Sequence, residues 1–292
     1  MLSEIVTMRY VDTKTSIPIP RIHSYELQSL NPLGAPYTLM DRVMGKFVRP
    51  LPSTPMDDVA HVYGQVAEIV LALSRLTFPK IGMISGDSNI GSPIVSQCLF
   101  FDFSSRNAFS TASELYTARL QEFYVETKNQ IPADDNWVVF AWLCWQSIPH
   151  FLIPELDKGP FPLHHPDLHN GNILYDDNNN IVGVIDWTAS GSFPWEIAMA
   201  PPEALEWFPE RRKMYIDIFE VKEIAITGGS RFTTFMRSPA SEIVNLVNEN
   251  YRSWGKRFPD KRAARLAQLV YGSETRWEDV KIKYTEWELA TI

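Results

Sequence analysis

Cysteine is nearly absent. Cys98 and Cys144 are the only two in 292 residues, far apart, in apolar surroundings and without CxxC spacing. A disulfide framework or a thiolate zinc site is thereby excluded, and two buried, reduced thiols are expected. A basic excess is missing too. The formal net charge of −8 argues against a nucleic-acid binder, which carries a basic face. It is more compatible with a cationic than an anionic substrate. Long apolar runs are also lacking. The start, "MLSEIVTMRY", has no signal core. The most apolar run, "WVVFAWLCWQSIPHFLIP" at 137–154, is interrupted by Gln146, Pro149 and His150. It reads as a buried core helix rather than a membrane span, with the cytoplasm as the default location. No internal repeat or low-complexity tract stands out.

What remains is globular. A hydrophobic share of 45% against 21% charged residues suffices for a sizeable core, in one large domain or two smaller ones. The first residues read as the tail of a helix, stopped by the prolines of "TSIPIP". "PYTLMDRV" (36–43) reads as a strand running into a linker, and Gly45 allows a bend. Residues 57–77 place Val59, Val62, Val66, Ile69, Val70, Leu73 and Leu76 at helical spacing. "GMISGDSNIGSP" (82–93) is turn-rich but neither follows a convincing strand nor opens a helix, so it is weak as a phosphate loop. Thr111 and Glu114 form a T-x-x-E capping box for a helix to about 128. Further helices are predicted near 136–148, 209–226, 239–257 and 261–271. Strand signal falls in the first half and around 172–187.

The chemistry concentrates in "HHPDLHNGNILYDDNNNIVGVIDW" (164–187). Three readings compete. In the first, two short apolar runs flank Asp176–Asn180 as a hairpin with a solvated turn. That accounts for the turn but not for Asp167, Asn172 and Asp186, which the hairpin would gather at its open end. In the second, His164, His165 and His169 bind zinc; His165 and His169 stand four apart, but Pro166 and Gly171 oppose the helix that would face them together. In the third, Asn172 and Asp186 offer oxygen ligands to Mg²⁺ while Asp167 takes a proton from an attacking hydroxyl. The spacing His-x-Asp-x-x-x-x-Asn, with Asp 14 residues later in an apolar strand, favours this third reading.

Those residues carry a resemblance. "HPDLHNGNIL" and "GVIDW" are similar to the catalytic loop and metal-binding strand of the aminoglycoside phosphotransferase family, small-molecule relatives of the protein kinases. "TSIPIPRIHSYE", "GAPYTLMDRVMGK" and "FPKIG" resemble that family's connecting segment, hinge and first large-lobe helix region. "FPWEIAMAPPE" resembles the segment after the metal aspartate in fungal-type members. The resemblance runs from residue 4 to about 210. It implies an α+β, protein-kinase-like fold of the aminoglycoside/choline kinase type, with a truncated N-lobe and a mainly helical C-lobe. Residues 1–45 would be the small-lobe remnant and hinge, and 46–292 the catalytic lobe. It further implies ATP and Mg²⁺ as cofactors and a small-molecule hydroxyl as substrate. Asp167 would be the catalytic base and His165 a structural residue of its loop. Asn172 and Asp186 would hold Mg²⁺. Leu174 and Ile185 would lie under adenine, although any hairpin packs such residues, and Met40, Arg42 and Val43 would be hinge positions. Glu4 aligns with the helix glutamate that pairs with a strand lysine; a plain solvated helix residue is the alternative. Glu196, Glu203 and Glu206 could meet a cationic substrate or form a solvated helix face.

The resemblance also exposes a gap. Met1 falls inside the helix that should follow the lysine strand, so no residue fills the lysine's role by alignment, and the Gly-rich loop has no counterpart. The remnant sheet would present an unpaired edge. Loss of the clamp could cost on the order of a thousandfold in rate. The alternative expectation is therefore a catalytically impaired pseudokinase or a gene fragment.

Overall fold

The proline-bounded start forms the first wall of the molecule. In the computed structural model, which describes residues 1–47, 55–85, 94–97, 108–130, 135–202, 209–253, 258 and 260–291, helix α1 spans Leu2–Lys14. Ile5, Val6, Met8 and Val11 are its buried apolar residues. The "TSIPIP" link then runs extended beside the later hairpin, where the Val184 amide donates to the Pro18 carbonyl at 2.7 Å. Strands β1 (Ile22–Glu26) and β2 (Tyr37–Met40) pair antiparallel as a separate two-stranded sheet.

Helix α2 (Met56–Ser74) carries Asp57 and Asp58 in its first turn, where carboxylates complement the helix dipole. Val59, Val62, Val66, Val70 and Leu73 are buried along its length. Short strands β3 (Thr77–Phe78), β4 (Gly82–Ser85) and β5 (Ile94–Gln97) follow. Helix α3 (Ala112–Asn129) starts with the expected capping box: the Glu114 amide donates to Thr111 Oγ1 and the Glu114 carboxylate accepts from the Thr111 amide. Such a box contributes about 1 kcal/mol. Helices α4 (Asp135–Gln146) and α5 (Ile148–Phe151) lead to strand β6 (Phe161–His164). Hairpin strands β7 (Ile173–Tyr175) and β8 (Ile181–Val184), strand β9 (Gly191–Ser192) and helix α6 (Trp195–Ala198) come next. The rest is helical: α7 (Pro209–Thr227), α8 (Arg231–Met236), α9 (Pro239–Ser253), α10 (Asp260–Tyr271) and α11 (Trp277–Thr291).

Several expectations change here. A five-stranded sheet of order β3-β6-β9-β4-β5 stands beside the helices, built from strands too short to show an alternation. "FPKIG" lies after α2, at the β3–β4 turn, rather than in the first large-lobe helix. Gly82–Ser85 is itself a strand, whereas residues 86–93 fall outside the described residues. Helices α8 and α11 were not foreseen. Cys144 is free and fully buried, with burial pushing its thiol pKa well up; Cys98 lies outside the described residues. No helix among them is long and apolar enough to cross a membrane.

One continuous core runs from Val6 and Met8 through Trp187 to Val280. The last helix docks through rings: Trp287 packs on Trp142, Trp145 and Tyr124 at centroid distances of 5.9, 5.9 and 5.8 Å. This sheet and core fix β6 and hence the loop that begins at His165.

Candidate active site

Strand β6 ends at His164, and the chain turns sharply. The His169 amide donates to the Asp167 carbonyl at 2.9 Å, and the Asn172 amide to the His169 carbonyl at 2.8 Å. Asn172 is buried, and its Nδ2 donates to both the Asp167 carbonyl (2.9 Å) and Asp167 Oδ2 (3.0 Å). The Asp167 side chain stays 44% exposed, so its carboxylate is oriented yet reachable. His169 accepts from the Gly171 amide through Nδ1 (2.9 Å), leaving Nε2 to face Asp167 Oδ2 at 3.5 Å.

His165 is buried, with Nε2 donating to the Ile185 carbonyl at 3.1 Å and its ring against Trp187 at 4.8 Å. Burial lowers its pKa, so the ring is held neutral. Its Nδ1 is buried and has no hydrogen-bond partner among the described residues. His165 and His169 thus serve different partners. Among the described residues no group of three or more His, Cys, Asp or Glu could hold a metal, which removes the basis of the zinc reading.

The hairpin does gather its open end. Ile173 pairs with Val184, and the Ile185 amide donates to the Asn172 carbonyl at 2.9 Å. Asp186 follows in the left-handed region (φ 58°) and is exposed. The turn at the other end is not merely solvated, as was expected. Helix α2 grips it: His61 Nε2 meets Asn180 Oδ1 at 2.9 Å, Gln65 Nε2 donates to the Asn179 carbonyl at 2.9 Å, and the Ile181 amide donates to Gln65 Oε1 at 2.7 Å. Asp177 and Asn178 are exposed, and Asp177 pairs with Lys46 at 3.0 Å.

A cleft of about 420 Å³ opens between α1, the β2 exit and the hairpin. It is lined by Glu4, Met8, Pro20, Met40, Asp41, Val43, Leu174, Ile185 and Asp186. Six sequence-derived candidates therefore share one cavity: Glu4, Met40, Val43, Leu174, Ile185 and Asp186. Arg42 is exposed and is not among the lining residues. Asp167 and Asn172 sit at the hairpin end beside the cleft rather than in its wall. Met8, Pro20 and Asp41 were missed. The proline link offers no local signal that it borders a cavity, because its partner Val184 is more than 160 residues away. Asp41 accepts from His23 at 2.6 Å, which holds its carboxyl below the usual range.

Glu196 is neither a substrate contact nor a solvated residue. It is buried and accepts from the Ile153 amide at 2.7 Å and the Tyr116 hydroxyl at 3.5 Å. Glu203 and Glu206 lie outside the described residues.

Comparison with known proteins agrees with the architecture. The family described as "Phosphotransferase enzyme family" matches residues 2–195. The Clavilactone A biosynthesis cluster protein Y of Ampulloclitocybe clavipes is 27% identical over 221 residues, covering 70% of this chain and 53% of that protein. A subtelomeric hrmA-associated cluster protein of Aspergillus fumigatus is 34% identical over 84 residues, covering 28% of this chain and 16% of its own. The chain thus spans about half, or less, of the curated relatives it matches. Among solved structures, the ADP-bound aminoglycoside phosphotransferase APH(2'')-Ib superposes with a TM-score of 0.54 at 12% identity, over 92% of this chain and 80% of that one. A thermostable mutant of aminoglycoside phosphotransferase APH(4)-Ia gives 0.53 at 17% identity, over 94% and 85%. These likenesses show the kinase-like fold.

Proposed function

This chain belongs to the phosphotransferase enzyme family, and from that premise we propose that it is an ATP- and Mg²⁺-dependent phosphotransferase acting on the hydroxyl of a small molecule. The observation that supports the reading is the cleft. It brings an apolar slot, made by Met40, Val43, Leu174 and Ile185, to the Asp186 carboxylate. The Asp167–Asn172 pair stands at the same end of the hairpin. On this reading residues 1–45 supply one wall and 46–292 the other.

Each residue has a task its chemistry suits. The apolar slot takes the flat adenine face, and the backbone at Met40 and Val43 offers the hydrogen bonds of its edge. Asn172 and Asp186 supply oxygen atoms, the donor type that magnesium prefers. With Asn172 Nδ2 committed to Asp167, its Oδ1 is the atom left for a metal. When bound, magnesium supplies charge neutralisation between the phosphates. Asp167 accepts the proton of the substrate hydroxyl as that oxygen attacks the terminal phosphorus of ATP and the phosphorus–oxygen bond to the departing ADP breaks. The Asn172 hydrogen bond and the nearby His169 ring hold the carboxylate toward the acceptor. His165 ties the loop to Ile185 and so fixes where Asp186 emerges. Glu4 stands in the cleft wall at the position where the family pairs a glutamate with its lysine.

A second reading has its own observation. The polar side chains among the described lining residues are Glu4, Asp41 and Asp186, all acidic, with no Lys or Arg. A cleft without a phosphate-clamping cation suits a protein that binds Mg-nucleotide but transfers phosphate poorly or not at all. Calorimetric titration with ATP, with and without Mg²⁺, tests the shared premise. Asp186→Asn is the diagnostic variant, because Asn tolerates φ 58° as Asp does and only the charge is lost. We expect Mg-dependent binding that Asp186→Asn weakens about tenfold or more, with an unchanged melting temperature. Equal affinity in the variant takes Asp186 out of the site, and no binding by the folded chain sinks the reading. ADP release in a screen of hydroxyl compounds then separates enzyme from binder.

A further inference from the structure

The segment leaving β2 is bolted at both ends. The Asp41 amide donates to the Arg21 carbonyl at 2.9 Å. Lys46 and Tyr175 exchange both backbone hydrogen bonds, each at 2.9 Å, so the segment continues as a strand-like neighbour of β7. Between the bolts it lies unusually close to the hairpin, and two glycines permit that. A Cβ on Gly45 would meet Val182 Cγ2 at 2.9 Å, Leu174 Cβ at 3.0 Å and the Tyr175 carbonyl oxygen at 3.1 Å. The three atoms nearest to a Cβ on Gly183 would all belong to Val43: Cγ1 at 2.6 Å, Cγ2 at 3.1 Å and Cβ at 3.3 Å.

The two positions differ in what must yield. At Gly45 the crowding includes the carbonyl that makes the Lys46 bolt. At Gly183 it falls on one valine whose side chain lines the cleft. Gly183 does not have the positive φ that glycine alone favours, so alanine fits the backbone and the conflict is steric. Contacts of 2.6 Å are repulsive. The Asp41 and Lys46 hydrogen bonds hold the backbone, and the Val43 side chain, pressed away from β8, faces the cavity it lines.

We propose that Gly183 is a positioning residue that sets the width of the cleft, acting through Val43. Its missing side chain lets Val43 lie flat on β8, and that keeps open the slot between Val43 and the Leu174–Ile185 side for a planar aromatic ring. The inference rests on the nucleotide reading of the cleft for its ligand, but not for its packing.

The test uses the full chain and MgADP. Gly183→Ala should weaken MgADP binding about tenfold or more while unfolding stays cooperative. Adding Val43→Ala to it removes both clashing methyl carbons and leaves the 3.3 Å contact; the double variant should recover affinity to within about fivefold of Val43→Ala alone. A Gly183→Ala protein that binds like wild type, or a double variant that recovers nothing, overturns the inference. A second measurement needs no nucleotide. In methyl-labelled samples, Gly183→Ala should shift the Val43 methyl resonances and give them new contacts to Met40, Leu174 or Ile185. Unmoved Val43 methyls overturn the inference whatever the nucleotide does. Moved methyls in a chain whose wild type ignores MgADP uphold it, and overturn the phosphotransferase reading alone.

Discussion

Asp167 is held by one neighbour and left open to others. Asn172 donates to it, and almost half of its side chain is exposed. Asp167→Asn keeps an oxygen that can accept from Asn172 Nδ2, so the loop keeps its shape; what is lost is the proton acceptor. Phosphoryl transfer should fall about 10²- to 10⁴-fold, while MgADP affinity stays within about threefold. ADP release and calorimetry on the same sample check this, and a variant with more than about a tenth of wild-type turnover removes Asp167 as the base. The placement of Asp167, Asn172 and Asp186 around one end of the hairpin was legible in the sequence because spacing along one loop and one hairpin relates them; their roles are the proposal. Asp41, Met8 and Pro20 were not, since they line the cleft through a pairing between distant segments. Arg42 does not line the cleft, but it was expected as a hinge position offering backbone hydrogen bonds, which its side chain's exposure leaves open.

At the scale of elements, most of the long helices and the 173–184 hairpin were legible, whereas α8, α11 and the shortest strands were not. The apolar stripe of α2 and the capping box of α3 are local signals. Strands β3 and β9 have two residues each, too few to show alternation, and their partners are far away in sequence. Glu196 on α6 shows a further limit. Its acidic type suggested solvent, yet α6 carries it into the core to cap the Ile153 amide. Burial raises its pKa from 4.5 to about 7, with Asp157 adding to the rise. The sign follows from proton counting. Between those two values the folded chain holds a proton that the unfolded chain releases, so stability falls as pH rises through this window. At ~1.4 kcal/mol per decade the loss is about 3 kcal/mol. Glu196→Gln keeps an acceptor for Ile153 and removes the charge. Urea unfolding of both proteins at pH 5 and pH 8 should show the variant gaining on wild type at pH 8. A constant difference would mean that Glu196 does not titrate in this window.

On the scale of the molecule, the fold was legible through the 165–187 motif. The continuity of its core was not, because α1 shares one apolar cluster with helices some 270 residues away. That continuity has a thermodynamic consequence for the cleft, whose walls come from α1, the proline link, the β2 exit and the hairpin. A ligand that needs all four binds only the folded state, so it must raise the stability of the whole chain. The electrostatics then dictate the form of nucleotide that can do so. Three carboxylates line the cleft, and the chain carries a net charge of −8, so an uncomplexed nucleotide meets repulsion from nearby and from afar. On the proposed reading its magnesium complex would bring a cation to Asp186. At a concentration of MgADP about a hundredfold above its Kd, the gain is about 2.7 kcal/mol. For a chain of this size that corresponds to a rise in melting temperature of roughly 4 °C. ADP with a chelator should give no rise. Equal rises with and without magnesium would show that Asn172 and Asp186 hold no metal, and absence of any rise at saturating MgADP would take the nucleotide out of the cleft altogether.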